Sequence, residues 1–275
     1  MDKTCNDLIA EYRALADVCA TLTPEQWQLR TDFYGWTPWD EIAHLCYFDE
    51  TALQSVTDPE TFASGAKALA AQWAQGHEIS AIARDTYGHL SGVAMLALWR
   101  ERFEALVAAL RPLDAKARLL WYGPSMSARS FATARLMETW AHGQDIWDAL
   151  GRTRGASPGL RHITHLGVST YGWTFVNRQR PVPQPAPYVE LTAPDGELWT
   201  WGEPSATDHV RGPATDFALL VTQRRHRDDT ALQWAGEGAE QWTAIAQCFA
   251  GEPADGPAPG VRTRHVREDQ ASAPG

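Results

Sequence analysis

Between Thr4 and Leu22 apolar side chains recur at Leu8, Ile9, Tyr12, Leu15, Val18, Cys19 and Leu22, the spacing of one helix face. The segment Gly35-Trp36-Thr37-Pro38-Trp39-Asp40 reads as a sharp helix start. Thr37 suits the cap, Pro38 the first turn where no N–H is required, and Asp40 the third position of a capping box. That predicts a helix over Pro38–Val56 carrying His44. The pattern from Thr51 to Gln72 is weaker, with a shorter helix expected over Phe62–Gln75. His89–Ala109, rich in Ala, Leu, Arg and Glu and lacking Pro, predicts a third long helix. Pro112–Met126 interrupts the pattern, and Ser127 or Ser130 can cap a fourth helix ending at Gly151. Four long amphipathic helices in about 150 residues predict a four-helix bundle, an architecture that builds metal and cofactor sites from facing helices.

Beyond Gly151 the period changes. Ser157–Val176 reads as one more helix, and the proline-rich stretch Arg178–Pro185 as an extended connector. Tyr188–Thr192 and Glu197–Trp201 alternate on either side of Pro194-Asp195-Gly196, a hairpin signature. Gly212-Pro213 is expected to start a helix to about Arg225, and Ala239–Phe249 to form another. The expectation is a mainly α protein with an α+β second domain: a bundle over residues 1–155, a small α+β domain over 156–250, and a disordered tail over 251–275.

Composition narrows the function. The 275 residues are 44% hydrophobic, enough for a substantial core. A net charge of −10 argues against a sequence-independent grip on nucleic acid, which needs a basic surface. The first twenty residues lack the order of a signal peptide, and no apolar run approaches a membrane span, so a cytoplasmic location is expected. Cys5, Cys19, Cys46 and Cys248 are scattered without a CxxC and read as reduced thiols. Thirteen tryptophans are unusual; Trp36, Trp39, Trp140 and Trp147 lie close in sequence to the candidate polar positions.

Glu138 and His142, four apart in ETWAHGQDIWDAL, share a helix face. Chance places about one acid four residues before a histidine in a chain of this make-up, and this chain has three such pairs: Asp40 with His44, Asp85 with His89, and Glu138 with His142. Taken singly each reads as a surface or capping pair. The third gains from context, because its helix packs into the bundle and a buried carboxylate is costly unless paired or bound to a cation. With His44 from a facing helix, Glu138 and His142 make a three-ligand shell with a fourth position open, the pattern of catalytic zinc sites; the competing reading is a buried Glu–His hydrogen bond. His162 and His165 read as structural, and Gly123–Ser127 does not match a GxSxG nucleophile turn. Arg224, Arg225, His226 and Arg227 form a basic cluster, read as a solvated helix end or as a carboxylate-binding group.

Gly35-Trp36-Thr37-Pro38-Trp39-Asp40-Glu41-Ile42-Ala43-His44-Leu45 and Arg135-Leu136-Met137-Glu138-Thr139-Trp140-Ala141-His142-Gly143-Gln144-Asp145 together resemble the DinB-like, mycothiol-dependent maleylpyruvate isomerase family. The likeness spans roughly Asp7 to Phe249 and includes Glu197–Gly202 and Leu220–His226, which resemble an actinobacterial metal-binding subgroup. It implies a DinB-like four-helix bundle holding a divalent metal, usually zinc, on His44, Glu138 and His142. It also implies a second-domain arginine, Arg224 or Arg225, in the catalytic apparatus, and mycothiol as thiol cosubstrate. The expected function is a metal-dependent, thiol-using enzyme, a mycothiol S-transferase or thiol-dependent isomerase, acting on a small electrophilic metabolite in specialised metabolism or detoxification. Its nucleophile would be a metal-bound thiolate. The alternatives are a metal-dependent hydrolase or lyase with metal-bound water, and a non-catalytic small-ligand-binding protein. An oligomer is compatible with all of these.

Overall fold

The computed structural model describes residues 1–262 except 75, 77 and 78. It divides into two compact units, Met1–Leu150 and the chain from Gly151 on.

In the first unit, α1 (Asp2–Cys19), α2 (Pro38–Thr57), α5 (Gly92–Leu110) and α6 (Ala128–Ala149) form the bundle, with α3 (Pro59–Ala74) and α4 (Ile79–Tyr87) between its second and third members. α1 packs on α5 and α6, and α2 packs on the same two, so the helices form a ring with α1 opposite α2. The capping box at α2 is complete: Asp40 N–H donates to Thr37 Oγ1 at 3.3 Å and Thr37 N–H to Asp40 Oδ2 at 2.8 Å. Ser127 caps α6, and Gly151 follows it with φ 64°, in the left-handed region that glycine adopts without strain. Leu8, Tyr12, Leu15, Trp99, Phe103, Leu106, Leu136 and Trp140 fill the core almost without exposure. Burial of each large apolar side chain contributes about 1.5–3 kcal/mol.

One polar group sits in that core and touches every wall. Asp49 of α2 accepts hydrogen bonds from Tyr12 of α1 (2.5 Å), Trp99 of α5 (2.8 Å) and Arg135 Nε of α6 (2.8 Å). Burial works against the Arg135 charge, but Asp49 beside it, with Tyr12 and Glu138, outweighs this and holds the guanidinium ionised.

Several helix limits differ from expectation. α3 begins three residues before Phe62, and its expected end at Gln75 lies outside the described residues. α4 is a helix the sequence pattern did not single out. Its Arg84 reaches back to Asp40 Oδ2 at 2.6 Å. The expected helix from His89 starts only at Gly92, because Ser91 takes the cap. A short antiparallel ladder, β1 (Arg118–Leu119) with β2 (Met126–Ser127), occupies the interruption before α6.

In the second unit the expected single helix over Ser157–Val176 is two, α7 (Leu160–Ser169) and α8 (Tyr171–Asn177). Ser169 and Thr170 turn their hydroxyls back onto the carbonyls of His165 and Leu166, which competes with continuation of the helix. The hairpin of β3 (Tyr188–Thr192) and β4 (Leu198–Trp201) has the register Val189↔Trp201. β3 also pairs in parallel with β5 (His209–Pro213), which pairs antiparallel with β6 (Gln233–Ala235), giving the order β4-β3-β5-β6. Pro213 closes that strand and takes the cap position of α9 (Ala214–Val221), which stops at Val221 rather than running to Arg225, with Gln223 just beyond it at φ 58°; α10 (Glu237–Ile245) follows β6. α7 packs on α9. Gly167 allows their approach, since a Cβ there would stand 2.9 Å from Phe217 and Val221. Part of the stretch expected as a disordered tail is hydrogen-bonded to this unit: Ala254 accepts from Gln223 Nε2 at 2.6 Å, and Gly260 N–H donates to Asp229 Oδ2 at 2.8 Å. The rest of that expectation, from residue 263, lies outside the described residues.

All four cysteines are buried, and none is in a disulfide among the described residues. Among the described residues no helix is long and apolar enough to cross a membrane.

Candidate metal centre

α2 and α6 are neighbours in the ring, and each turns a polar row toward the other. Four residues of α6 make one helical turn, so Glu138 and His142 stand one above the other, while His44 reaches them from α2. His142 Nε2 lies 3.2 Å from Glu138 Oε2, and His44 Nε2 lies 3.8 Å from the same oxygen. The imidazole centroids are 4.4 Å apart. Donor atoms of the three residues fall within 4.8 Å of one another. Ligands about 2.0–2.2 Å from a tetrahedral ion stand somewhat over 3 Å apart, so the donor set and its spacing fit a divalent metal such as zinc. Glu138 keeps 26% side-chain exposure, whereas His44 and His142 keep 10% and 5%, so the cluster is reached from the carboxylate side. Burial pushes the Glu138 carboxyl up, but hydrogen bonds to His142 and His44 and their charges outweigh it and hold the group well below the usual range.

The second ring nitrogen of His142 has its own partner. His142 Nδ1 lies 2.7 Å from Glu41 Oε2, and Glu41 Oε1 accepts from Thr31 Oγ1 at 3.1 Å. Glu41 is fully buried and faces Nδ1, so it favours a proton there and leaves Nε2 as the nitrogen on the side of Glu138 and His44. A carboxylate behind a ligating histidine fixes the ring and raises its basicity. Asp40, four residues before His44, is the capping residue of α2, as its position in the sequence led one to expect, and a partner of Arg84. Its neighbour Glu41, three residues before His44, supports the cluster and was missed.

Aromatic rings enclose the imidazoles. Trp36 stacks on His142 at 5.8 Å and 10° and lies 5.3 Å from His44. Phe33 meets His142 edge-on at 5.2 Å, and Phe48 lies 4.8 Å from His44. The turn that delivers Phe33 and Trp36 is closed by Thr31 N–H on the Trp36 carbonyl (2.7 Å), with Tyr34 and Gly35 at φ 52° and 69°. Trp140 and Trp147 are core residues, and Trp39 donates to the Leu90 carbonyl. A second group of possible ligand atoms, Glu41, His142 and Asp145, shares His142 but is buried on all sides.

Arg224 and Arg225 belong to the second unit. Neither is a solvated helix end: both are buried, their N–H groups bond the Leu219 carbonyl at the end of α9, and their guanidinium groups donate to the Thr222 and Arg224 carbonyls. Arg227 pairs with Glu240 at 2.7 Å and stacks on Trp234. His165 accepts from Trp201 Nε1 at 3.1 Å, a contact within the same unit. Asp85 and His89 do not share a helix, since α4 ends at Tyr87.

Fold and cluster define a class first: a four-helix bundle with a histidine and carboxylate group between two of its helices, followed by an α+β unit. Residues 8–147 match the family model described as the mycothiol maleylpyruvate isomerase N-terminal domain, and the chain belongs to that family. Two Mycobacterium tuberculosis proteins described as uncharacterized are each 42% identical over 251 residues, 91% of this chain and 96% of theirs. Crystal structures of the mycothiol-dependent maleylpyruvate isomerase and of a histidine-to-alanine mutant of it each cover 80% of this chain and 87% of their own. They share 15% and 13% identity with it, both with a TM-score of 0.52, which shows the common fold.

Proposed function

We propose that this protein is a metal-dependent enzyme that uses mycothiol as a thiol cosubstrate to act on a small electrophilic metabolite. The observation that carries the proposal is the convergence of His44 Nε2, His142 Nε2 and Glu138 Oε2 at a cluster with one exposed side. His44, Glu138 and His142 would hold the ion, and Glu41 would keep His142 in the tautomer that offers Nε2. When bound there, a zinc or similar ion supplies Lewis acidity that lowers the pKa of a thiol brought against it. The donor groups near the cluster include no cysteine, which is consistent with a thiol delivered by a cosubstrate.

The thiolate sulfur forms a C–S bond at the electrophilic carbon, and the displaced electron pair moves onto the acceptor group conjugated with it. In an isomerase the adduct rotates, the C–S bond breaks, and the thiol returns unchanged. In an S-transferase a proton is added and the adduct is released. Trp36, Phe33 and Phe48 would exclude water from this step. A guanidinium from Arg224 or Arg225 would take a substrate carboxylate, a role suggested by the family likeness and by the fork geometry of arginine.

Metal analysis of the wild type beside His44→Ala and Glu138→Ala tests the first step. The expected result is near-stoichiometric metal in the wild type and loss of most of it in both variants. Full occupancy in both variants would eliminate the site. Incubation with mycothiol and maleylpyruvate, then with a panel of other electrophiles, tests the second. Turnover strictly dependent on thiol is expected, and thiol-independent addition of water would replace this reading with a hydrolase.

A further inference from the structure

The first unit holds a second cavity that the metal cluster does not use. It lies between α2, α3, α4 and the loop carrying Tyr122, with a volume of about 160 Å³. Phe48 separates it from the cluster: its ring is 4.8 Å from His44 on one side and 5.6 Å from Tyr122 on the other. Tyr47, Phe62, Tyr87 and Tyr122 supply aromatic walls. Thr51, Gln54 and Thr86 add neutral polar groups, and Glu50 is the one charged residue on the lining.

The carboxylate of Glu50 is held through a single oxygen. Tyr87 OH donates to Glu50 Oε2 at 3.0 Å, and Arg102 Nε lies 3.4 Å from the same atom. Among the described residues Glu50 Oε1 takes no hydrogen bond, and no lysine or arginine lines the cavity. Aromatic faces attract a cation through the ring quadrupole, and a carboxylate oxygen with capacity to spare accepts its N–H. An anion would meet the Glu50 carboxylate among four aromatic residues, and the nearby Arg102 guanidinium is already paired with Glu50 Oε2. The volume is well below the ~300–1,000 Å³ of pockets for drug-sized ligands, so the occupant is of the size of one ring with a short arm.

We propose that this cavity binds a small organic ammonium, an amine-bearing ring or compact alkylammonium, with its N–H groups on Glu50 Oε1 and its carbon frame against Tyr47, Phe62 and Tyr122. The site is independent of the metal cluster and stands whether or not a thiol reaction occurs there.

Calorimetric titration of the full chain with benzylammonium, benzyl alcohol and benzoate, three probes of similar shape and different charge, tests it. Benzylammonium is expected to bind about tenfold or more tighter than the alcohol, with benzoate weakest. Glu50→Gln should bring ammonium and alcohol to within about twofold of each other. Gly65→Leu, a bulky side chain set on the lining at a position where a Cβ meets no neighbour and the fold is not strained, should abolish binding of all three. Metal content and circular dichroism, read alongside, should match the wild type in both variants. Absence of ammonium binding to the wild type overturns the proposal, as do equal affinities for the three probes. It is equally overturned by an ammonium preference that survives Glu50→Gln, or by binding that persists in a folded Gly65→Leu protein.

Discussion

At the residue scale, most of the chemistry rests on where single atoms point. His142 can serve a metal through Nε2 because Nδ1 is occupied by Glu41, and Glu41 is in turn steadied by Thr31. Removing the charge while keeping the shape isolates that support. Glu41→Gln is expected to leave the fold intact and weaken metal affinity by about 10–100-fold, as loss of outer-shell carboxylates does. Competition with a coloured chelator measures it, and an unchanged affinity would show that Glu41 does not orient the ring. His44, Glu138 and His142 were legible in the sequence because the helix period puts two of them on one face and because their motif resembles a family. Glu41 was not, since in Asp40–Glu50, DEIAHLCYFDE, acidic residues recur often enough that only the tertiary contact to His142 separates it from Asp40 and Asp49.

At the scale of the elements, Asp49 joins all four bundle helices through Tyr12, Trp99 and Arg135. A buried charge pair broken on one side costs about 3–5 kcal/mol, because the partner is left ionised and unpaired. Asp49→Ala should therefore lower the free energy of unfolding by that order. Adding Arg135→Met should recover part of the loss, since both charges are then gone. If the double variant is no more stable than the single one in chemical denaturation, the pair is not the source of the cost. Helix existence was legible for the bundle, where caps and apolar stripes agree; the α2 capping box formed as read. β5 was not, because a five-residue strand ending in Gly212-Pro213 with Val210 as its one fully buried side chain has no alternation to detect. Its pairing with β3 supplies the stability that the local pattern lacks.

For the molecule as a whole, buried phenols set a limit at alkaline pH. Burial pushes Tyr122 and Tyr171 up to about 12, and Tyr12 and Tyr87 are raised further, with burial again the largest cause. In the unfolded chain a tyrosine titrates near pH 10. A group whose pKa is raised by folding contributes stability that is complete below the unfolded pKa and lost as pH rises through the folded one. Stability should thus be flat to about pH 9 and fall steeply between about pH 10 and about pH 12. Urea midpoints across that range, with phenolate absorbance followed in parallel, check it. Phenolate formation near pH 10 without loss of stability would contradict it.

The sequence by itself determined the bundle helices, the capping box of α2, the β3–β4 hairpin and the shared face of Glu138 and His142. Each depends on near-neighbour spacing along one chain, and a helix of fixed period converts that spacing directly into a shared face. Only the tertiary structure decided that Glu41 stands behind His142, that Asp49 bridges four helices, that β3 and β5 are parallel neighbours, and that Glu50 lines an aromatic cavity. Those relations join residues tens of positions apart. They are set by which helices pack together and by the need to satisfy each buried polar group, which no local pattern records.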